Sequence, residues 1–143
     1  MKKLIGFIAA LVLSGWANAA DTLVVKDAWV RAPAPGAQVT AAYMTLEASE
    51  PMTLLSASSP AASAVEVHNM TMKNGVMEMR EIKALDIKPG QPVKLERGGL
   101  HLMLIDLKHP LKAGDSVSVV LHFSDSKQAK TTRTLTIPVK PAP

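Results

Sequence analysis

Residues 64–82 read Ala64-Val-Glu-Val-His-Asn-Met-Thr-Met-Lys-Asn-Gly-Val-Met-Glu-Met-Arg-Glu-Ile82, two alternating runs on either side of Asn74-Gly75. An Asn-Gly pair between alternating runs is the strongest short signal for a tight hairpin, since both residues tolerate the positive φ of a type I′ turn. With a two-residue loop, Lys73 faces Val76, Thr71 faces Glu78 and Met70 faces Met79. His68 then lies diagonally from Met79 on the same face, about 7 to 8 Å away at Cα. Outward from this hairpin the chain continues in short β-branched and apolar runs, broken by Gly, Pro, Asp and Ser at intervals of about 8 to 12 residues, the pattern of an all-β sandwich. Strands are expected at Leu23–Arg31, Gln38–Glu47, Met52–Ser56, Ala64–Met72, Val76–Ile82, Pro92–Leu95, Leu100–Leu107, Ser116–Phe123 and Thr131–Val139. Pro35-Gly36, Pro89-Gly90, Gly98-Gly99 and Gly114-Asp115 provide the turn chemistry between them.

The first 19 residues have the form of a secretion signal. Lys2 and Lys3 precede an apolar stretch from Leu4 to Leu13, and Ala17-Asn18-Ala19 is a small-residue cleavage site. The stretch is shorter than the roughly 20 apolar residues that span a bilayer, and no second such run follows, so no membrane span is expected after cleavage. Residues 20–143 then form one domain, large enough to bury a core without disulfides. Sixteen basic residues against twelve acidic ones give a net charge of +4, and loss of Lys2 and Lys3 leaves +2. Basic residues are interleaved with acids and form no stripe, which argues against a nucleic-acid partner. Cysteine is absent. Thiol oxidoreductases, cysteine nucleophiles and blue-copper carriers all need a thiolate and are thereby excluded. Neither a Gly-x-Ser-x-Gly elbow nor a phosphate-binding Gly loop is present, and the sequence supports no enzymatic activity.

The chemistry-bearing residues are imidazoles and thioethers. His68 and His101 each have a methionine two residues away, Met70 and Met103. Strand alternation puts His101, Met103 and Ile105 on one face and Leu100, Leu102 and Leu104 on the other, so the leucines feed a core and the His-x-Met face is left free or partly buried. Thioether sulfur is soft and prefers Cu(I), while imidazole accepts several transition metals, so a mixed set selects monovalent copper over zinc, magnesium or calcium. Met70, Met72, Met77 and Met79 crowd the hairpin, and spacing leaves open which of them is a ligand. Met44 and Met52 read as core fillers. His109 and His122 read as hydrogen-bonded structural residues. Glu66, Glu78 and Glu81, interleaved with Arg80 and Lys83, read as a solvated strand face.

These residues resemble the PCuAC-type periplasmic copper chaperones. His68, ten residues, Met79, twenty-one residues, His101, one residue and Met103 reproduce that family's ligand spacing. Arg31-Ala-Pro-Ala-Pro-Gly-Ala, Ala41-Ala-Tyr-Met, Val65-Glu-Val-His, Asn74-Gly-Val-Met-Glu-Met-Arg and Gly98-Gly-Leu-His-Leu-Met-Leu are similar to its characteristic stretches. The resemblance implies a single cupredoxin-like Greek-key β-sandwich domain in the periplasm, binding Cu(I) through His68, Met79, His101 and Met103. It also implies transfer toward the CuA centre of cytochrome c oxidase, with a Sco-type protein or oxidase subunit II as acceptor. Some members carry a His- and Met-rich C-terminal extension, whereas this chain ends in Lys140-Pro-Ala-Pro, so a second Cu(II) site is not expected.

Neutral ligands would keep such a site at the charge of its ion, and thioethers cannot close into a disulfide, although sulfoxide formation threatens them. Protons compete for the imidazoles, so affinity is expected to fall as pH drops through about 6.5, where free imidazole titrates. Two other readings share the sequence: a periplasmic copper reservoir or tolerance factor, and a secreted β-sandwich interaction module whose histidines and methionines merely pack.

Overall fold

In the computed structural model, which describes residues 22–143, ten strands build the molecule. They are β1 (Leu23–Arg31), β2 (Val39–Ala48), β3 (Met52–Ser58), β4 (Ala62–Lys73), β5 (Val76–Glu81), β6 (Leu85–Ile87), β7 (Val93–Leu95), β8 (Leu100–Leu107), β9 (Ser116–Asp125) and β10 (Lys130–Lys140). The expected secretion signal lies outside the described residues. All nine expected strands are present, with ends shifted by no more than two residues. The addition is β6, three residues that pair with β3 and are too short to show an alternation in sequence.

The strand order is β5-β4-β8-β2-β1-β10-β9-β3-β6, with β3 also meeting β4. Two layers result, β4-β8-β2-β1 and β10-β9-β3. They match the ABED and GFC arrangement of a Greek-key sandwich once the short strands are set aside. A parallel contact between β1 and β10 (Val30 with Val139, Arg31 with Lys140) joins one side, and Ala57 of β3 pairing with Val65 of β4 joins the other. Neither contact is local in sequence. The expected all-β Greek-key sandwich is therefore the fold, closed on both sides into a flattened barrel.

The core lies between the layers and follows from alternation. Val65 and Val67 of β4, Leu102 and Leu104 of β8, Leu46 of β2, Leu54 of β3 and Val119, Leu121 and Phe123 of β9 all turn inward and are buried. Each such side chain contributes about 1.5–3 kcal/mol through removal from water. Met44 and Met52 sit among them, as expected of gap fillers.

The hairpin has the register expected from Asn74-Gly75. Lys73 pairs with Val76, Thr71 with Glu78, Met70 with Met79 and His68 with Glu81. Asn74 and Gly75 have φ of 52° and 77°, the two positive values a type I′ turn needs. On its other side β4 pairs with β8, matching His68 to His101 and Glu66 to Met103. The outer face of β5-β4-β8 thus carries consecutive rungs of imidazole and thioether.

Candidate metal centre

The site starts from β7 and β8, which lie end to end along the same side of β2, Met44 with Leu95 and Ala42 with Leu102. Between them residues 96–99 loop out, closed by the Glu96 N–H on the Leu100 carbonyl and the Gly99 N–H on the Glu96 carbonyl. Gly98 adopts φ of 78° in this loop, where a Cβ would be strained. The loop aims one carbonyl, that of Gly99, at two donors: the backbone N–H of Met70 at 3.2 Å and Nδ1 of His101 at 2.9 Å. A single acceptor therefore ties the hairpin to the start of β8.

That bond fixes the chemistry of His101. A carbonyl only accepts, so in the neutral ring Nδ1 carries the proton and Nε2 keeps its lone pair for an electrophile. His101 is 5% exposed, more buried than the free or half-buried face expected from alternation. Two features account for this: it stands on the middle strands of a sheet, and a wall built by the β1–β2 connection stands beside it. Met103, one rung away, is partly buried.

His68 stands across from His101, with ring centroids 6.1 Å apart and planes at 39°. Its Nε2 lies 2.7 Å from a Glu66 carboxylate oxygen, and its Nδ1 is buried without any hydrogen-bond partner. A carboxylate accepts, so neutral His68 carries its proton on Nε2 and leaves a lone pair on Nδ1. An unsatisfied buried polar atom costs about 1–3 kcal/mol. An electrophile at Nδ1 removes that cost. Carboxylate–imidazole pairs of this kind orient metal-binding histidines and raise their basicity. Glu66 is the partner of His68 that sequence reasoning missed, where it read as part of a solvated face. The signal was present, because Glu66 and His68 are two residues apart on one strand face.

An open cleft of about 1020 Å³ runs over this surface, lined by Met79, His101 and Met103 together with Met70, Tyr43 and the β1–β2 connection from Arg31 to Ala37. Three of the four sequence candidates share it. His68 does not line it, although its ring is 6.1 Å from that of His101. Met70 and Met79, a cross-strand pair, line it equally, so the geometry does not separate them. Met79 is 50% exposed. Its flexible thioether is free to swing toward the imidazoles. Arg31 and Arg97 line the cleft and no carboxylate does. This electrostatic setting repels divalent cations that need anionic oxygen ligands and leaves neutral nitrogen and sulfur donors for a soft ion.

The remaining histidines have ordinary partners. His109 Nδ1 meets the Pro110 carbonyl at 3.3 Å, and His122 Nε2 meets the Ser58 hydroxyl at 3.3 Å. Among the described residues no group of three or more His, Cys, Asp or Glu is placed to hold a metal.

A domain of this fold with this surface falls in the structural class of PCuAC domains. The copper-bound PCuAC domain from PmoF2 superposes with a TM-score of 0.66 at 22% identity, over 85% of this chain and 94% of that one. DR1885 from Deinococcus radiodurans, solved in solution in its Cu(I) form, matches with a TM-score of 0.60 at 32% identity, over 87% and 80% of the two chains. By sequence, the family model described as "Putative lipoprotein LpqE-like" matches residues 23–139, and the chain belongs to that LpqE-like family. A protein of Leifsonia xyli subsp. xyli, "Putative lipoprotein Lxx21020", is 39% identical over 124 residues, which cover 85% of this chain and 71% of that protein.

Proposed function

We propose that this protein is a copper carrier of the cell envelope, which binds one Cu(I) through His68, Met79, His101 and Met103 and gives it to an acceptor protein. The observation that carries the reading is the buried Nδ1 of His68, which has no hydrogen-bond partner, in a ring 6.1 Å from that of His101, whose Nδ1 is held by the Gly99 carbonyl, on a face that also carries Met79 and Met103. The copper named for the PmoF2 domain and for DR1885 supports it, as does the ligand spacing. The signal-like pattern read in residues 1–19, and the word lipoprotein in the names of the family and of the Leifsonia xyli relative, support export, with the periplasm as the compartment.

Each residue has a stated part. His101 offers Nε2 from a fixed position, since the Gly99 carbonyl holds its other nitrogen. His68 offers Nδ1, with Glu66 holding its tautomer. Met103 and Met79 complete a pseudo-tetrahedral set by moving their sulfurs in from the cleft. Release runs by ligand exchange: an acceptor thiolate entering through the cleft forms a bond to copper as a thioether leaves, and copper stays monovalent. The acceptor is a thiolate site of the CuA type, reached directly or through a Sco-type protein.

Anaerobic Cu(I) titration against a competing chelator tests the site. One equivalent should bind, and Met103→Leu and His101→Ala should each abolish tight binding. Equal weak binding by the parent and both variants would overturn the proposal. Oxidase activity in a deletion strain, with and without added copper, tests the acceptor. A deficit rescued by copper supports delivery, and normal activity with copper sensitivity points to a reservoir.

A further inference from the structure

The inner site uses one methionine of the hairpin and leaves three unexplained. Met70 and Met72 of β4 and Met77 and Met79 of β5 lie on one face, in directly opposed pairs: Met70 with Met79 and Met72 with Met77. Met72 is 69% exposed, Met77 48% and Met79 50%. Burial is therefore not why Met72, Met77 and Met79 are methionine, since an apolar side chain left in water gains little of the transfer free energy. The opposite face of the same hairpin carries Asn69, Thr71, Lys73, Glu78 and Arg80 with Val76 as its one apolar side chain, the mostly polar composition expected of an edge hairpin wet on both sides. Only one face departs from it, and it does so four times with sulfur.

We infer that this methionine ladder is an outer soft-metal site, which captures monovalent copper at the hairpin tip and passes it to the inner site. The inference rests on the copper-carrier reading. Opposed residues place their Cβ atoms about 4.5–5.5 Å apart, so two flexible thioethers on one rung can converge on a single ion. Successive rungs are two residues apart, about 6.8 Å. From Met72/Met77 the ion steps to Met70/Met79, which line the cleft with His101 and Met103. At each step one sulfur–metal bond forms as another breaks, with no electron or proton exchanged. Affinity rises inward, from two thioethers to a set that includes imidazole, and this gives the transfer its direction.

Ag(I), a soft monovalent ion without redox chemistry, serves as the probe, with the full mature chain carrying 13C-methyl methionine observed by NMR. The first equivalent should shift the Met79 and Met103 methyls, and later equivalents should shift Met72 and Met77 together. The double variant Met72→Leu/Met77→Leu keeps an apolar surface without sulfur. It should lose the late shifts and take up Cu(I) more slowly from a chelated donor, with the equilibrium affinity of the first equivalent unchanged. If Met79 and Met103 respond while Met72 and Met77 stay still at several equivalents, the ladder is wrong and the inner site stands. If Met79 and Met103 stay still as well, the carrier reading fails. Unchanged uptake by the leucine variant also overturns the ladder and marks the tip as an apolar protein contact.

Discussion

Glu66 changes the meaning of His68. An isolated histidine on a strand can place its proton on either ring nitrogen, and the 2.7 Å contact with the Glu66 carboxylate selects Nε2. Loss of such an orienting partner lowers metal affinity roughly 10- to 100-fold. Glu66→Ala should therefore weaken Cu(I) binding by that factor, while Glu66→Gln, whose amide oxygen still accepts a hydrogen bond, should recover most of it. Chelator competition measures both, and equal losses would show that charge and not orientation matters. At the paired positions Met70 and Met79, leucine variants assayed side by side decide which sulfur belongs to the inner set. The proposal expects the larger loss at Met79. The imidazoles and the thioethers were legible as candidates because soft donors without cysteine have few other chemical readings. The partner of His68 was not, because a glutamate two residues from a histidine looks like any wet strand residue until burial isolates the other ring nitrogen.

The hairpin and β8 are the elements that carry the proposed donors. Gly75 holds φ of 77°, and a Cβ added there would find nothing within 4 Å, so a side chain meets no clash and only backbone strain. A left-handed conformation costs an L-residue about 1–2 kcal/mol. Gly75→Val should lower the stability of the copper-free protein by about that amount in urea denaturation, and an unchanged midpoint would mean that the turn is not formed in solution. On β8, Leu104 is fully buried on the face opposite the site. Leu104→Ala should cost about 2–5 kcal/mol of stability. The same variant should retain Cu(I) affinity at temperatures where it is folded, which separates scaffold from site. The hairpin's register could be read in advance because a two-residue Asn-Gly loop admits one pairing and alternation then assigns every face. The 96–99 loop could not. Gly98-Gly99 marks a turn, but its carbonyl reaches both Met70 and His101 only because β7 and β8 share one side of β2.

At the scale of the molecule, the Greek key divides labour between two surfaces. Leucine, valine and phenylalanine fill the space between the layers, and the outer face of β5-β4-β8 carries the imidazoles and thioethers with Glu66 and Glu81 among them. The all-β class followed from strand and turn patterning. Closure by the β1–β10 and β3–β4 contacts did not, since each joins segments whose pairing depends on the final packing of both layers. Under the proposed function the protein should be thermally stabilised by its cargo. With free Cu(I) at 100 times its dissociation constant the gain is about 2.7 kcal/mol, reversed when a chelator removes the metal. X-ray absorption on the Cu(I)-loaded wild-type protein tests the central claim most directly. The account predicts a single copper environment with two imidazole nitrogens and two thioether sulfurs, and a spectrum with nitrogen and oxygen neighbours alone would contradict it.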